Sequence, residues 1–206
     1  MSSTPFRPIA GQYIVLDKDD IDTDQIIPAR FLKTIERSGL GPLAFNDWRY
    51  DASGAPRPDF PLNDPRNAGA EVLVAGRNFG CGSSREHAVW ALMAAGIRAV
   101  VSTAFADIFR GNAIGNGLLP IQVDEQVVRA LVDAAKDKPS ISVDLASQTL
   151  VLPNGESVKF PIKPFAKRCM IEGVDELDVL AGAGAQIDAY EAAHPRRFST
   201  IMESVS

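Results

Sequence analysis

The chain has 206 residues, 46% of them hydrophobic and 23% charged, with a formal net charge of -5. That composition excludes collagen-like, disordered and membrane classes, and no apolar run approaches the ~20 residues of a transmembrane helix. A net acidic chain has no global basic excess to draw in phosphate backbones, so nucleic acid is not an expected partner.

Residues 12–16 (QYIVL) form a short apolar run that predicts a buried strand. The acidic stretch 17–24 (DKDDIDTD) is too polar to continue it and predicts a loop. Pro28 then opens a short helical turn through residues 29–32. Residues 38–70 are rich in Gly, Pro, Asn and Asp and read as an irregular insertion, functional or mobile. A strand at 71–75 leads through a glycine-rich loop at 76–82 to a helix at 84–95. Val89, Leu92 and Met93 share its buried stripe, and Gly96 stops it. A strand at 97–102, a helix at 104–115, a strand at 118–123 and a helix at 125–135 capped by Asp124 follow. Strands at 141–145, 148–152 and 157–161 are joined by tight turns, with Asn154-Gly155 the strongest hairpin signal. Residues 164–193 read as two or three short helices broken by Gly173, Gly182 and Gly184. Strand–helix alternation from 71 to 123 predicts βαβ units, to which the later hairpins add antiparallel strands. With no repeat and no linker, the expectation is one α/β domain over residues 1–206.

The chemistry concentrates in Gly80-Cys81-Gly82-Ser83-Ser84-Arg85-Glu86-His87, between a strand and a helix. Gly80 and Gly82 permit a sharp turn and close approach of a ligand. Ser83 with Glu86 three residues on matches a capping box, which would be a complete structural role in itself. The same geometry also suits an anion, because a helix start offers free N–H groups and a positive dipole end. Arg85 adds a planar fork for a carboxylate. A serine there could have its alkoxide form stabilised and act as a base. The lysine and spacing of a P-loop are absent, as is the Gly-x-Ser-x-Gly of a hydrolase. His87 and His194 are far apart and make no metal site by themselves. Cys81 and Cys169 form no CxxC pair, and two thiolates are too few for an iron–sulfur cluster. A disulfide between them is open, but isolated cysteines fit a reducing cytoplasm as well. The first six residues lack signal-peptide features, so a cytoplasmic location is expected. Cys81 adjoins the candidate base, where its neighbours could lower its pKa or where it could simply fit the backbone turn. Trp90 and Met93 are expected in the core.

Three segments carry a resemblance. GCGSSREHA (Gly80 to Ala88), DIDTDQIIP (Asp20 to Pro28) and FADIFRGNAIGNGLLP (Phe105 to Pro120) are similar, in order, to the motifs of the aconitase superfamily swivelling domain. The segment from Phe45 to Arg49 and the length resemble the small subunits of isopropylmalate dehydratases within it. The resemblance implies a three-layer β/β/α swivelling domain with a mixed sheet and short C-terminal helices. It implies a hydro-lyase that interconverts 2-isopropylmalate and 3-isopropylmalate through 2-isopropylmaleate in leucine biosynthesis. Ser83 matches the family's catalytic base, Ser84 and Arg85 its carboxylate contacts, and Asp24 the aspartate of its active-site polar network. The family's further substrate arginine has no clear match; Arg37 is near its spacing, with Arg30 and Lys33 close by. Asn112 and Asn116 are expected to hydrogen-bond at turns and helix ends rather than to act in catalysis. The family's [4Fe–4S] cluster is held by three cysteines of a separate large subunit, which implies a heteromer in which this chain supplies the base and the clamp.

The apolar branch of isopropylmalate needs apolar contacts, and residues 35–48 offer Leu40, Leu43, Phe45 and Trp48. This segment is expected either to close over the site as a specificity loop, with Leu40 and Leu43 on the substrate, or to be a surface loop with packed anchors. The same mechanism would serve a homoaconitase or a methylmalate or citraconate hydratase small subunit. A non-catalytic anion-binding module is the reading from another class.

Overall fold

The computed structural model describes residues 4–32, 39–137 and 140–194. In chain order the strands are β1 (Ile9–Leu16), β2 (Val72–Ala75), β3 (Ala99–Ser102), β4 (Leu119–Gln122), β5 (Ser140–Asp144), β6 (Thr149–Val151) and β7 (Ser157–Lys159). The helices are α1 (Thr23–Ile26), α2 (Asn46–Arg49), α3 (Glu86–Ala94), α4 (Asp107–Asn116), α5 (Glu125–Ala134), α6 (Pro164–Glu172), α7 (Glu176–Gly182) and α8 (Gly184–Ala193).

The strands form one mixed sheet in the order β4-β3-β2-β1-β5-β6-β7. β1 joins its two halves. Tyr13 to Leu16 run parallel to Val72 to Ala75, while Ile9 to Gln12 run antiparallel to Ser140 to Val143. β2, β3 and β4 continue in parallel, and β5, β6 and β7 continue antiparallel. Pro120 is tolerated in β4 because that strand is an edge.

Alternation along the short parallel strands feeds two cores. Leu73 and Val100 point into a core with Ile14, Leu16, α3 and α4, which is also filled by Leu40, Phe45 and Phe60. Val72, Val74, Ala99 and Val101 point the other way, into a core with Val128 and Leu131 of α5. Val143, Leu150, Phe160 and Met170 share that second core, so the antiparallel half curls over one face of the parallel half. Tyr13 donates to the Leu131 carbonyl at 2.7 Å across it, and burial pushes its phenol up to about 12.

The predicted layers are present, with local differences: α4 starts at Asp107 rather than 104, and α1 begins at Thr23 inside the expected loop. β1 starts at Ile9, three residues earlier than its apolar run suggests, because β5 pairs with it. Helix α3 starts at Glu86 rather than 84. Met93 is 38% exposed, so the helix buries Val89 and Leu92 but not this end of the expected stripe, whereas Trp90 packs on the core as expected. Among the described residues, no helix is long and apolar enough to cross a membrane.

Candidate active site

Loops leaving the carboxyl ends of β1, β2 and β3 are stitched together past the last regular pairs. Single parallel bridges join Asp22 to Cys81 and Phe79 to Phe105, which prolongs the strand order into the loops. Gly80 N–H donates to the Ile21 carbonyl at 2.7 Å and Thr23 N–H to the Cys81 carbonyl at 2.9 Å. Asp20 and Asn78 both take left-handed backbone, which their side chains tolerate, and Asn78 Nδ2 donates to Asp20 Oδ1 at 2.8 Å. Below them, the fully buried Ser102 hydroxyl lies 2.5 Å from the Gly76 carbonyl and 2.8 Å from that of Ala104.

Gly80 sits on the ring of Phe109, which is edge-on to Phe79 and stacked with Phe105. Its φ is +77°, and an added Cβ would overlap the Phe109 ring, so both backbone and space require glycine. The loop therefore rests on an aromatic floor supplied by α4.

On this frame Asp24, Ser83, Ser84 and Arg85 come together. Asp22 caps α1 with a full capping box, accepting from Asp24 N–H and Gln25 N–H while Gln25 Oε1 accepts from Asp22 N–H. That points Asp24 at Arg85, with which it makes an ion pair. The Arg85 hydrogen bond holds the Asp24 carboxyl below the usual carboxylate range. Thr23, 1% exposed, donates through Oγ1 to the Ser83 carbonyl at 2.9 Å. The backbone of Ser83 is thus fixed from the β1 loop, while Ser83 and Ser84 are exposed.

The predicted capping box at Ser83 does not form. Arg85 occupies the cap position with extended backbone and caps no helix N–H with its side chain, and Glu86 accepts from Asn116 instead. Near the site the box forms at Asp22 instead, where the Asp-x-x-Gln spacing is visible in the sequence, and another forms at Asp175 far along the chain. Thr23 and Ser102 also escaped the sequence reading. A hydroxyl at the end of an apolar strand was the available signal for Ser102. The Cys81 thiol is raised, by burial and then by Asp22 and Asp20, and donates to the Asp20 carbonyl at 3.4 Å. The lowered-pKa reading is thus corrected, and the backbone-fitting one describes what Cys81 does.

The 39–50 segment lies beside α1, because Phe45 N–H donates to the Ile26 carbonyl at 2.8 Å. Leu40 is 1% exposed in the core and Leu43 packs against it, so Leu40 anchors the segment and presents no surface to a ligand in this arrangement. Arg30 pairs with Asp47 and donates to Asn46 Oδ1 at 2.9 Å. Arg37 and Lys33 lie outside the described residues. Among the described residues, no group of three or more His, Cys, Asp or Glu side chains could hold a metal ion. The donor set here does not fit a [4Fe–4S] cluster. A cleft of about 750 Å³ lined by Asp107, Arg110, Gln122, Gln148 and Lys163 contains none of the predicted site residues.

Residues 5–126 match the family model described as aconitase C-terminal domain, and the chain belongs to that family. A 3-isopropylmalate dehydratase small subunit of Roseiflexus sp. (strain RS-1) is 52% identical over 202 residues, 97% of this chain and 99% of that protein. Its counterpart from Anaeromyxobacter dehalogenans (strain 2CP-C) is 54% identical over 187 residues, 91% and 97% of the two chains. A crystal structure of 3-isopropylmalate dehydratase from Methanocaldococcus jannaschii superposes with a TM-score of 0.63 at 31% identity, covering 89% of this chain and 99% of that one. Within its family the chain therefore belongs with the 3-isopropylmalate dehydratase small subunits.

Proposed function

We propose that the chain is the small subunit of a hydro-lyase that interconverts 2-isopropylmalate and 3-isopropylmalate through 2-isopropylmaleate in leucine biosynthesis. Ser83 takes and returns the proton on the carbon beside a substrate carboxylate. Ser84 and Arg85 hold that carboxylate, and Asp24 holds Arg85. The observation that carries this assignment is the convergence of an ion pair and two exposed hydroxyls on a locked backbone. A base must be within hydrogen-bond reach of the proton it moves, and that requires a fixed Ser83 main chain with a free side chain. The Arg85 guanidinium two residues on is the positive group that favours the alkoxide over the alcohol. The apolar branch of the substrate meets the 40–48 segment through Leu43 and Trp48, which are half-buried beside α1. Leu40 acts one layer below, as their support, and Arg37 is the candidate for the further carboxylate contact.

The chain works with a large subunit, which completes the site and holds the [4Fe–4S] cluster. A cytoplasmic location and a single swivelling-type domain belong to the same reading. The test is anaerobic reconstitution with the cognate large subunit, comparing hydration of isopropylmaleate, cis-aconitate, homoaconitate and citraconate. Preference for isopropylmaleate, with the separate chain inactive, is expected. Turnover by the chain alone overturns the split-site reading, and preference for another acid overturns the substrate.

A further inference from the structure

Asn116 closes α4, and its side-chain amide is engaged on both sides. Trp90 Nε1 donates to Oδ1 at 2.9 Å, while Nδ2 donates to Glu86 Oε1 at 2.7 Å and to the Asn112 carbonyl at 2.9 Å. An indole N–H can only donate, so Trp90 fixes which way the amide faces and turns its NH₂ toward Glu86. Glu86 is the first residue of α3 and stands three after Ser83. On local chemistry alone, Ser83-x-x-Glu86 is a capping box. Its carboxylate would turn back to the Ser83 N–H, and the helix would begin at Ser84. In the fold the carboxylate goes to Asn116, the helix begins at Glu86, and Arg85 stays extended at φ -110°, ψ 110°.

We propose that Asn116 is a positioning residue for the dehydration: by holding Glu86 it keeps residues 83–85 out of the helix and keeps an internal carboxylate away from the substrate's place. This rests on the reading of Ser83, Ser84 and Arg85 as base and clamp. The reason is competition for donors. The N–H groups at a helix start attract any carboxylate, and one tethered three residues away is present at high effective concentration. Unless it is diverted, Glu86 occupies those donors before a substrate does. Asn116 diverts it with a neutral amide that adds no charge to the site. The ion pair with Asp24 holds Arg85 extended from the other side.

Two measurements test this, one of which needs no substrate. In the full chain by NMR, wild type is expected to show non-helical Cα shifts at Ser84 and Arg85. Glu86 titration should be felt at the Asn116 side-chain amide and the Trp90 indole. Asn116→Ala should bring helical shifts to residues 84–85 and move the Glu86 titration to the Ser83 amide. Adding Glu86→Ala should reverse the shifts. Trp90→Phe keeps a ring but loses the N–H, and should move the same signals less far. In the reconstituted complex, Asn116→Ala should lower kcat and raise KM, about tenfold each, because the Ser83 hydroxyl is drawn into the cap and the clamp is displaced. Asn116→Ala with Glu86→Ala should restore both. A role in packing alone predicts a double variant no better than the single one, and that result overturns the proposal. So does a Glu86 titration already felt at the Ser83 amide in wild type. If the wild-type complex does not turn over isopropylmalate, the functional reading fails, and the NMR result still decides the role of Asn116.

Discussion

In the antiparallel half of the sheet, turn side chains satisfy their own turns. Asp144 accepts from Ala146 N–H and Ser147 N–H, and Asn154 accepts from Glu156 N–H, all within three residues. In the parallel half, the loops are held by contacts between segments 58 to 61 residues apart, such as Asn78 to Asp20 and Arg85 to Asp24. Much of that stitching is backbone to backbone, from Gly80 to Ile21 and from Thr23 to Cys81. A loop fixed from outside need not spend every side chain on its own shape. The hydroxyls of Ser83 and Ser84 remain available for this reason, whereas Asp144 and Asn154 are consumed where they stand.

Glycine substitutions separate the two halves most sharply. Gly80→Ala combines a left-handed backbone with overlap on Phe109 and should cost about 3 kcal/mol or more in urea unfolding, taking activity with it. A loss below about 1 kcal/mol would mean that the aromatic floor yields and does not hold the loop. Arg85→Lys keeps the charge and loses the fork, so kcat/KM should fall roughly 10- to 100-fold while the urea midpoint hardly moves. Gly155→Ala meets nothing within 4 Å, so only the backbone penalty of about 1 kcal/mol is expected, with turnover by the complex unchanged.

The smallest effect concerns pH. The folded pKa of Asp24 lies below its ordinary 3.8. Its stabilising contribution is therefore complete above the unfolded value and is lost as pH falls through the folded one. Urea midpoints measured from neutral pH down past the carboxylate range should fall more steeply for wild type than for Asp24→Asn. Equal slopes would show that the pair with Arg85 contributes nothing in solution.

The strands, their order of types and the Gly80–Arg85 loop could be read from apolar runs and glycines, because burial and backbone freedom leave local marks. What could not be read was competition between partners distant in sequence. Glu86 has a perfectly spaced local partner in Ser83, and only the approach of α4 shows why it takes Asn116. For Leu40 the sequence left open a ligand contact or a packed anchor, and only the core that α3 helps to close makes it an anchor. The role of Thr23 depends on a carbonyl sixty residues away. Two of the three family-like segments meet at the site, and the third supplies the floor beneath it.

The central claim is that Ser83 performs the proton transfer on a frame that does not need its side chain. It is tested most directly by Ser83→Ala in the complex with the large subunit, measuring isopropylmaleate hydration and isopropylmalate binding together. A fall in kcat of about a thousandfold is expected, within the range of a general base, with assembly and binding close to wild type. Turnover within about tenfold of wild type would contradict it and move the base to another residue.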